Sequence, residues 1–100
     1  MRLNIKPLSV NEAWRGRKFK TPKYKEYERK LLLLLPNKFK EDFTKLNIEI
    51  GVNTLFDIDN CLKPLIDILQ KKYKFNDRYI TELNIKKVVV KKGNEYIIIE

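Results

Sequence analysis

Four residues in the second half of the chain are of types that can act together on a phosphate group: Asp57, Asp59, Lys63 and Asp77. Asp57 is expected to end a strand and Asp59 to begin a helix, so the backbone of a strand-to-helix junction can aim both carboxylates at one point. Lys63 lies one helical turn beyond Asp59, on the same face. Asp77, within Phe75-Asn76-Asp77-Arg78, follows that helix and opens the next strand, whose direction is expected to bring it back beside the junction. Three acids and a lysine gathered in this way suit a hard divalent cation such as magnesium, which takes carboxylates, waters and substrate phosphate oxygens and needs no histidine. Each residue also has a purely structural explanation. Asp57 or Asp59 can cap the first helical turn, Asp59 with Lys63 can be an i,i+4 ion pair worth roughly a few tenths of a kcal/mol, and Asp77 can be a turn residue. Asp-x-Asp is too common to separate these readings by spacing alone. The surroundings favour the cation: residues 46–70 carry four acids and one base in a chain of net charge +9, and clustered carboxylates repel unless they bind something.

The remaining composition narrows the chemistry further. With no histidine, Ser-His, Cys-His and His-metal sites are excluded, and the single cysteine, Cys61, excludes an internal disulfide and any multi-cysteine zinc site. An enzyme built from this chain must work with carboxylates and lysines. Its 22 Lys+Arg against 13 Asp+Glu point to a polyanionic partner, nucleic acid before membrane. Eight of those bases fall within residues 15–30 (Arg15, Arg17, Lys18, Lys20, Lys23, Lys25, Arg29 and Lys30), against two acids there. General solubilisation is the competing explanation. The five leucines at 31–35 fall far short of the roughly 20 apolar residues needed to span a bilayer, and there is no N-terminal signal pattern, so the expectation is a soluble, cytoplasmic protein.

The elements that must position these residues are legible as periodicity. Residues 2–6 alternate as a first strand that Pro7 stops, and residues 9–20 read as a basic loop. Thr21-Pro22 opens a helix with Tyr24, Tyr27, Leu31 and Leu35 on one stripe, and Pro36 ends it. Strict alternation over 45–53 puts Leu46, Ile48, Ile50 and Val52 on one face of a strand. Ile58, Cys61, Leu62, Leu65, Ile66 and Leu69 give the clearest helical stripe, with Asp59, Lys63, Asp67 and Gln70 on the opposite side, and Cys61 is then a core residue. Pro64 is anomalous inside this helix, since it removes the bond to the carbonyl of Asn60 and is expected to bend the first turns. Residues 79–90 read as a long strand, which Lys91-Lys92-Gly93-Asn94 turns as a hairpin into 96–99.

The order β-α-β-α-β-β over 100 residues predicts a single α+β domain, residues 1–100, with one mixed sheet and two helices packed on it. A domain of this size with 43% hydrophobic residues forms a core but is marginal alone, which favours a dimer.

Asp57-Ile58-Asp59-Asn60-Cys61-Leu62-Lys63, followed by Asp67, Leu69 and Asn76-Asp77-Arg78-Tyr79-Ile80, resembles the D-x-D-N-x-x-K and second-aspartate pattern of the RusA family of Holliday junction resolvases. Pro7-Leu8-Ser9-Val10-Asn11-Glu12-Ala13-Trp14-Arg15, with Arg17 and Tyr24, is similar to that family's P-x-S-x-N opening and basic loop. The resemblance covers nearly the whole chain. It departs in having Asn76-Asp77 where the family often has two acids, and in lacking a second proline beside Pro7. What it implies is a homodimeric, magnesium-dependent endonuclease, with manganese as an alternative ion, that resolves four-way DNA junctions by paired nicks and is typically encoded by phages or prophages. By position Asp57, Asp59 and Asp77 match the metal-binding acids and Lys63 the catalytic lysine, while Arg15, Arg17, Lys18, Lys20, Lys23 and Lys25 are the candidate phosphate contacts. The competing classes are a non-catalytic DNA-binding or inhibitory protein on the same fold, and a nuclease for other branched DNA or RNA.

Overall fold

A computed structural model of the chain describes residues 1–15, 19–54 and 57–100, with Arg15 described by its backbone alone. It is a small α+β domain whose main sheet has four strands in the order β1-β6-β4-β5: β1 (Arg2–Leu3), β4 (Lys45–Val52), β5 (Glu82–Val89) and β6 (Tyr96–Ile99). β4 runs parallel to β5 and antiparallel to β6, and β1 is antiparallel to β6, so the sheet is mixed. Helices α2 (Pro22–Leu34) and α3 (Leu62–Tyr73) contribute the other side of the core.

The expected central elements are present for the expected reasons. Thr21 accepts the Tyr24 N–H at 3.2 Å and Pro22 opens α2 where its missing N–H costs nothing. Tyr24, Tyr27, Leu31 and Leu35 are all buried. On β4 the alternating set Leu46, Ile48, Ile50 and Val52 is buried against Leu65, Ile68 and Leu69 of α3 and Ile97 and Ile99 of β6, within one core. Cys61 belongs to that core, and burial above all, with the charge of Glu12 second, pushes its thiol up to about 12.

Four expectations are corrected. Residues 9–20 are not a plain loop: a one-turn helix α1 (Val10–Ala13) leads into a small antiparallel pair, β2 (Trp14–Arg15) with β3 (Phe19–Lys20). The fully buried Ala13 anchors this segment, and its carbonyl accepts the Thr21 N–H at 2.9 Å. The second long helix begins at Leu62 rather than at Asp59, so Pro64 is its third residue and lacks only an N–H that no helical carbonyl would have accepted. The Asn60 carbonyl is instead taken by Val10 N–H at 2.8 Å, which ties α1 to the start of α3. The last long strand starts at Glu82, because Asp77–Tyr79 forms a short 3-10 helix.

Finally, residues 91–94 do turn, with Asn94 N–H donated to the Lys91 carbonyl at 3.0 Å and Gly93 at φ 96°, but the strands they join are not paired. β5 and β6 flank β4 on opposite sides. β4 offers two hydrogen-bonding edges and a buried face, and pairing both neighbours to it covers more backbone than a two-stranded hairpin would.

Candidate active site

The C-terminal end of β4 leads through residues 53–61 to the N-terminus of α3, and Asp57, Asp59 and Lys63 stand there. The turn closes through its backbone: Asn60 N–H is donated to the Asp57 carbonyl at 3.0 Å and Leu62 N–H to the Asp59 carbonyl at 3.1 Å. Neither carboxylate caps α3, whose N-cap position is Cys61 and has no side-chain cap. Both aspartates are exposed, and among the described residues neither takes part in an ion pair. Two carboxylates on one exposed turn are a donor set for a hard cation.

Lys63, the second residue of α3, does not pair with Asp59. Its ammonium lies 3.5 Å from Asp67 Oδ2, one turn farther along the helix, and 5.3 Å from the centroid of the Trp14 indole. Trp14 in turn packs at 5.1 Å, tilted, against the buried ring of Tyr24. Burial first, then the charges of Glu28 and Asp67, push the Tyr24 phenol up to about 12, so it faces this cluster as a neutral group.

Asp77 is not beside the 57–59 turn. Because β5 is parallel to β4, its entry lies at the opposite end of the sheet, where Thr81 N–H is donated to the Thr44 carbonyl at 2.8 Å. Asp77 meets α3 at Gln70, and the eight-residue rise from Leu62 to Gln70 is about 12 Å. Among the described residues no group of three acids capable of holding a metal is gathered within one chain. What reaches Asp77 is Gln70: its Oε1 accepts the Asp77 N–H at 2.9 Å, and its Nε2 is donated to Asp67 Oδ1 at 3.5 Å.

The basic candidates are partly described. Arg17 and Lys18 lie outside the described residues, and Arg15 is placed by its backbone in β2. Lys20 is 3.9 Å from Glu28 and 4.9 Å from the centroid of the Tyr24 ring, Lys23 is 3.7 Å from Glu12, and Lys25 is exposed on α2. These are solvent-exposed contacts worth little, which phosphates can replace. Lys20 lies over Tyr24 and Lys63 over Trp14, so β3 and the start of α3 meet at this tilted ring pair.

Trp14, Asp67 and Gln70 gained no role from sequence reasoning. The spacing Lys63, Asp67, Gln70 on one helix face held the signal for two of them. Trp14 stood within the family-like opening Pro7 to Arg15, but a residue in an apparent loop carries no periodicity from which to read its contacts.

The protein-family model described as Endodeoxyribonuclease RusA matches residues 5–100. The chain belongs to the RusA family. No curated protein matches the sequence. The RusA match spans the 57–59 turn, Lys63, Asp77 and the basic segment together. No described helix is long and apolar enough to cross a membrane.

Proposed function

We propose that this RusA-family chain is a divalent-cation-dependent endodeoxyribonuclease that resolves four-way DNA junctions by paired nicks, acting as a homodimer. The observation that carries the reading is the state of Asp57 and Asp59: exposed, two residues apart, uninvolved in capping, and next to Lys63 in a strongly basic chain. Structural roles that would account for these carboxylates otherwise are filled by the backbone and by Asp67.

In this reading Asp57 and Asp59 hold magnesium, or manganese in its place. The ion supplies, when bound, Lewis acidity toward water and phosphate oxygens. Asp77 is assigned as a further ligand by the family pattern alone, because one chain sets it beside Gln70, about two helical turns along α3 from the 57–59 turn. Lys63 places a positive charge where the phosphate gains negative charge and the leaving oxygen departs. Arg15, Arg17, Lys18, Lys20, Lys23 and Lys25 neutralise backbone phosphates of the arms and set affinity without reading sequence. A twofold dimer matches the near-twofold symmetry of a four-way junction and gives each of two strands its own site.

The test is cleavage of a synthetic four-way junction beside a linear duplex of the same sequence, with and without magnesium. Nicking of the junction alone, and only with the ion, is the expected result. Binding of the junction without cleavage at any ion concentration would move the protein to the class of non-catalytic DNA binders, and equal cutting of the duplex would remove the junction specificity.

A further inference from the structure

We propose that Asp67 is a positioning residue for Lys63, and that Gln70 continues the same chain of contacts to the Asp77 segment, so that the exposed face of α3 splints the lysine and that acid at a set separation. This rests on the nuclease reading of Lys63 given above. A lysine on an open surface is not held by burial: the Lys63 side chain is 65% exposed, and its ammonium is a point charge on a flexible four-carbon stem. Two contacts restrain it, the Asp67 carboxylate at 3.5 Å and the face of Trp14 at 5.3 Å. The indole is itself held by its tilted contact with Tyr24, whose ring is almost wholly buried.

Asp67 uses both of its oxygens. Oδ2 faces Lys63, while Oδ1 accepts from Gln70 Nε2 at 3.5 Å. The Gln70 amide then has one orientation that serves both neighbours, because only its nitrogen can donate to a carboxylate and only its oxygen can accept the Asp77 N–H, which it does at 2.9 Å. The spacings 63, 67 and 70 are those at which helical side chains are neighbours. A line of four groups therefore runs from Trp14 down α3 to the 3-10 helix that carries Asp77, along the same helix that separates Asp77 from Asp59.

The experiment uses Trp14, the only tryptophan in the chain, as a reporter that needs neither metal nor cleavage. Emission of the full-length protein without DNA is compared for the unaltered chain, Lys63→Met, Asp67→Asn and the double variant. Asp67→Asn keeps the shape and an oxygen for Gln70 but removes the charge that holds the ammonium. Both single variants are expected to shift Trp14 emission in the same direction, and the double variant no further than Lys63→Met. In single-turnover cleavage of a junction, Asp67→Asn is expected to lower the rate on the order of tenfold with unchanged junction affinity and melting temperature, and to have no further effect in the Lys63→Met background. Emission of Asp67→Asn identical to that of the unaltered protein overturns the proposal, as does a Lys63→Met variant with unchanged emission or an Asp67→Asn loss that persists when Lys63 is gone. Absence of cleavage by the unaltered protein would instead overturn the nuclease reading, while the emission comparison still decides whether Asp67 holds Lys63.

Discussion

Lys63 touches Asp67 and Trp14, and both contacts are on the surface, so its removal separates a structural role from a chemical one. An ion pair this exposed contributes under about 1 kcal/mol, and Lys63→Ala is expected to lower the melting temperature by no more than about 4 °C. If the lysine stabilises charge on the reacting phosphate, the same change lowers single-turnover cleavage by about two orders of magnitude or more. Parallel thermal melts and cleavage rates check this, and equal loss of folding and activity would make Lys63 structural. Cys61 gives a complementary residue-scale test of the core. With its thiol buried and pushed up to about 12, almost no thiolate forms at pH 8, so alkylation is expected to be slow in the native protein and fast in denaturant. Equal rates in both would contradict the burial. Cys61 was legible from the sequence as a core residue because it completes an apolar stripe. The partner of Lys63 was not, since Asp59 and Asp67 both lie four residues away and only the start of the helix decides between them.

That start is an element-scale matter. The apolar stripe runs through Ile58 and Cys61 as though the helix began there, yet Ile58 is 41% exposed and the chain at 58–61 is a turn. Pro64 carried the correction: proline is tolerated in the first turn of a helix, and counting back from it places the start near Leu62. Strand pairing was less legible than strand existence. Alternation marks β4 and a short apolar run marks β6, whereas Gly93-Asn94 is a local turn signal and the choice of β4 as neighbour to both β5 and β6 is not local. One glycine on β4 has a specific packing reason. Gly51 lies opposite Tyr96 across the β4–β6 pair, and a Cβ added there would overlap the Tyr96 ring. That ring is itself held, with Arg2 4.0 Å above it and its hydroxyl donated to Glu49 Oε2 at 2.6 Å. Gly51→Ala is therefore expected to destabilise the fold by about 1–3 kcal/mol through overpacking. Urea unfolding measures this, and a change below about 0.5 kcal/mol would show that the ring moves aside freely.

At the scale of the molecule, charge and family pattern said more than topology. The net charge of +9 and the concentration of bases in residues 15–30 were plain in the sequence, and so was the acidic contrast around Asp57 and Asp59. The separation of Asp77 from that pair was not, because it depends on β5 being parallel to β4 rather than folding back against it. For the basic segment, neutralising Arg17 and Lys18 together is expected to weaken binding to junction and duplex alike and to flatten the log-log salt dependence by up to about 0.9 for each lost duplex phosphate contact. An unchanged slope would move the DNA surface elsewhere, to Lys71, Lys72, Lys74 and Arg78. The central claim, that Asp59 belongs to a cation-dependent cleavage site, is tested most directly by titrating magnesium against Asp59→Asn and the unaltered protein on a four-way junction, with binding and single-turnover cleavage read on the same samples. Asp59 makes no side-chain cap, so the substitution should leave the fold intact. The prediction is cleavage lost at every magnesium concentration, with junction binding retained or tightened because one fewer negative charge faces the phosphates. Near-normal nicking by Asp59→Asn at saturating magnesium would contradict it.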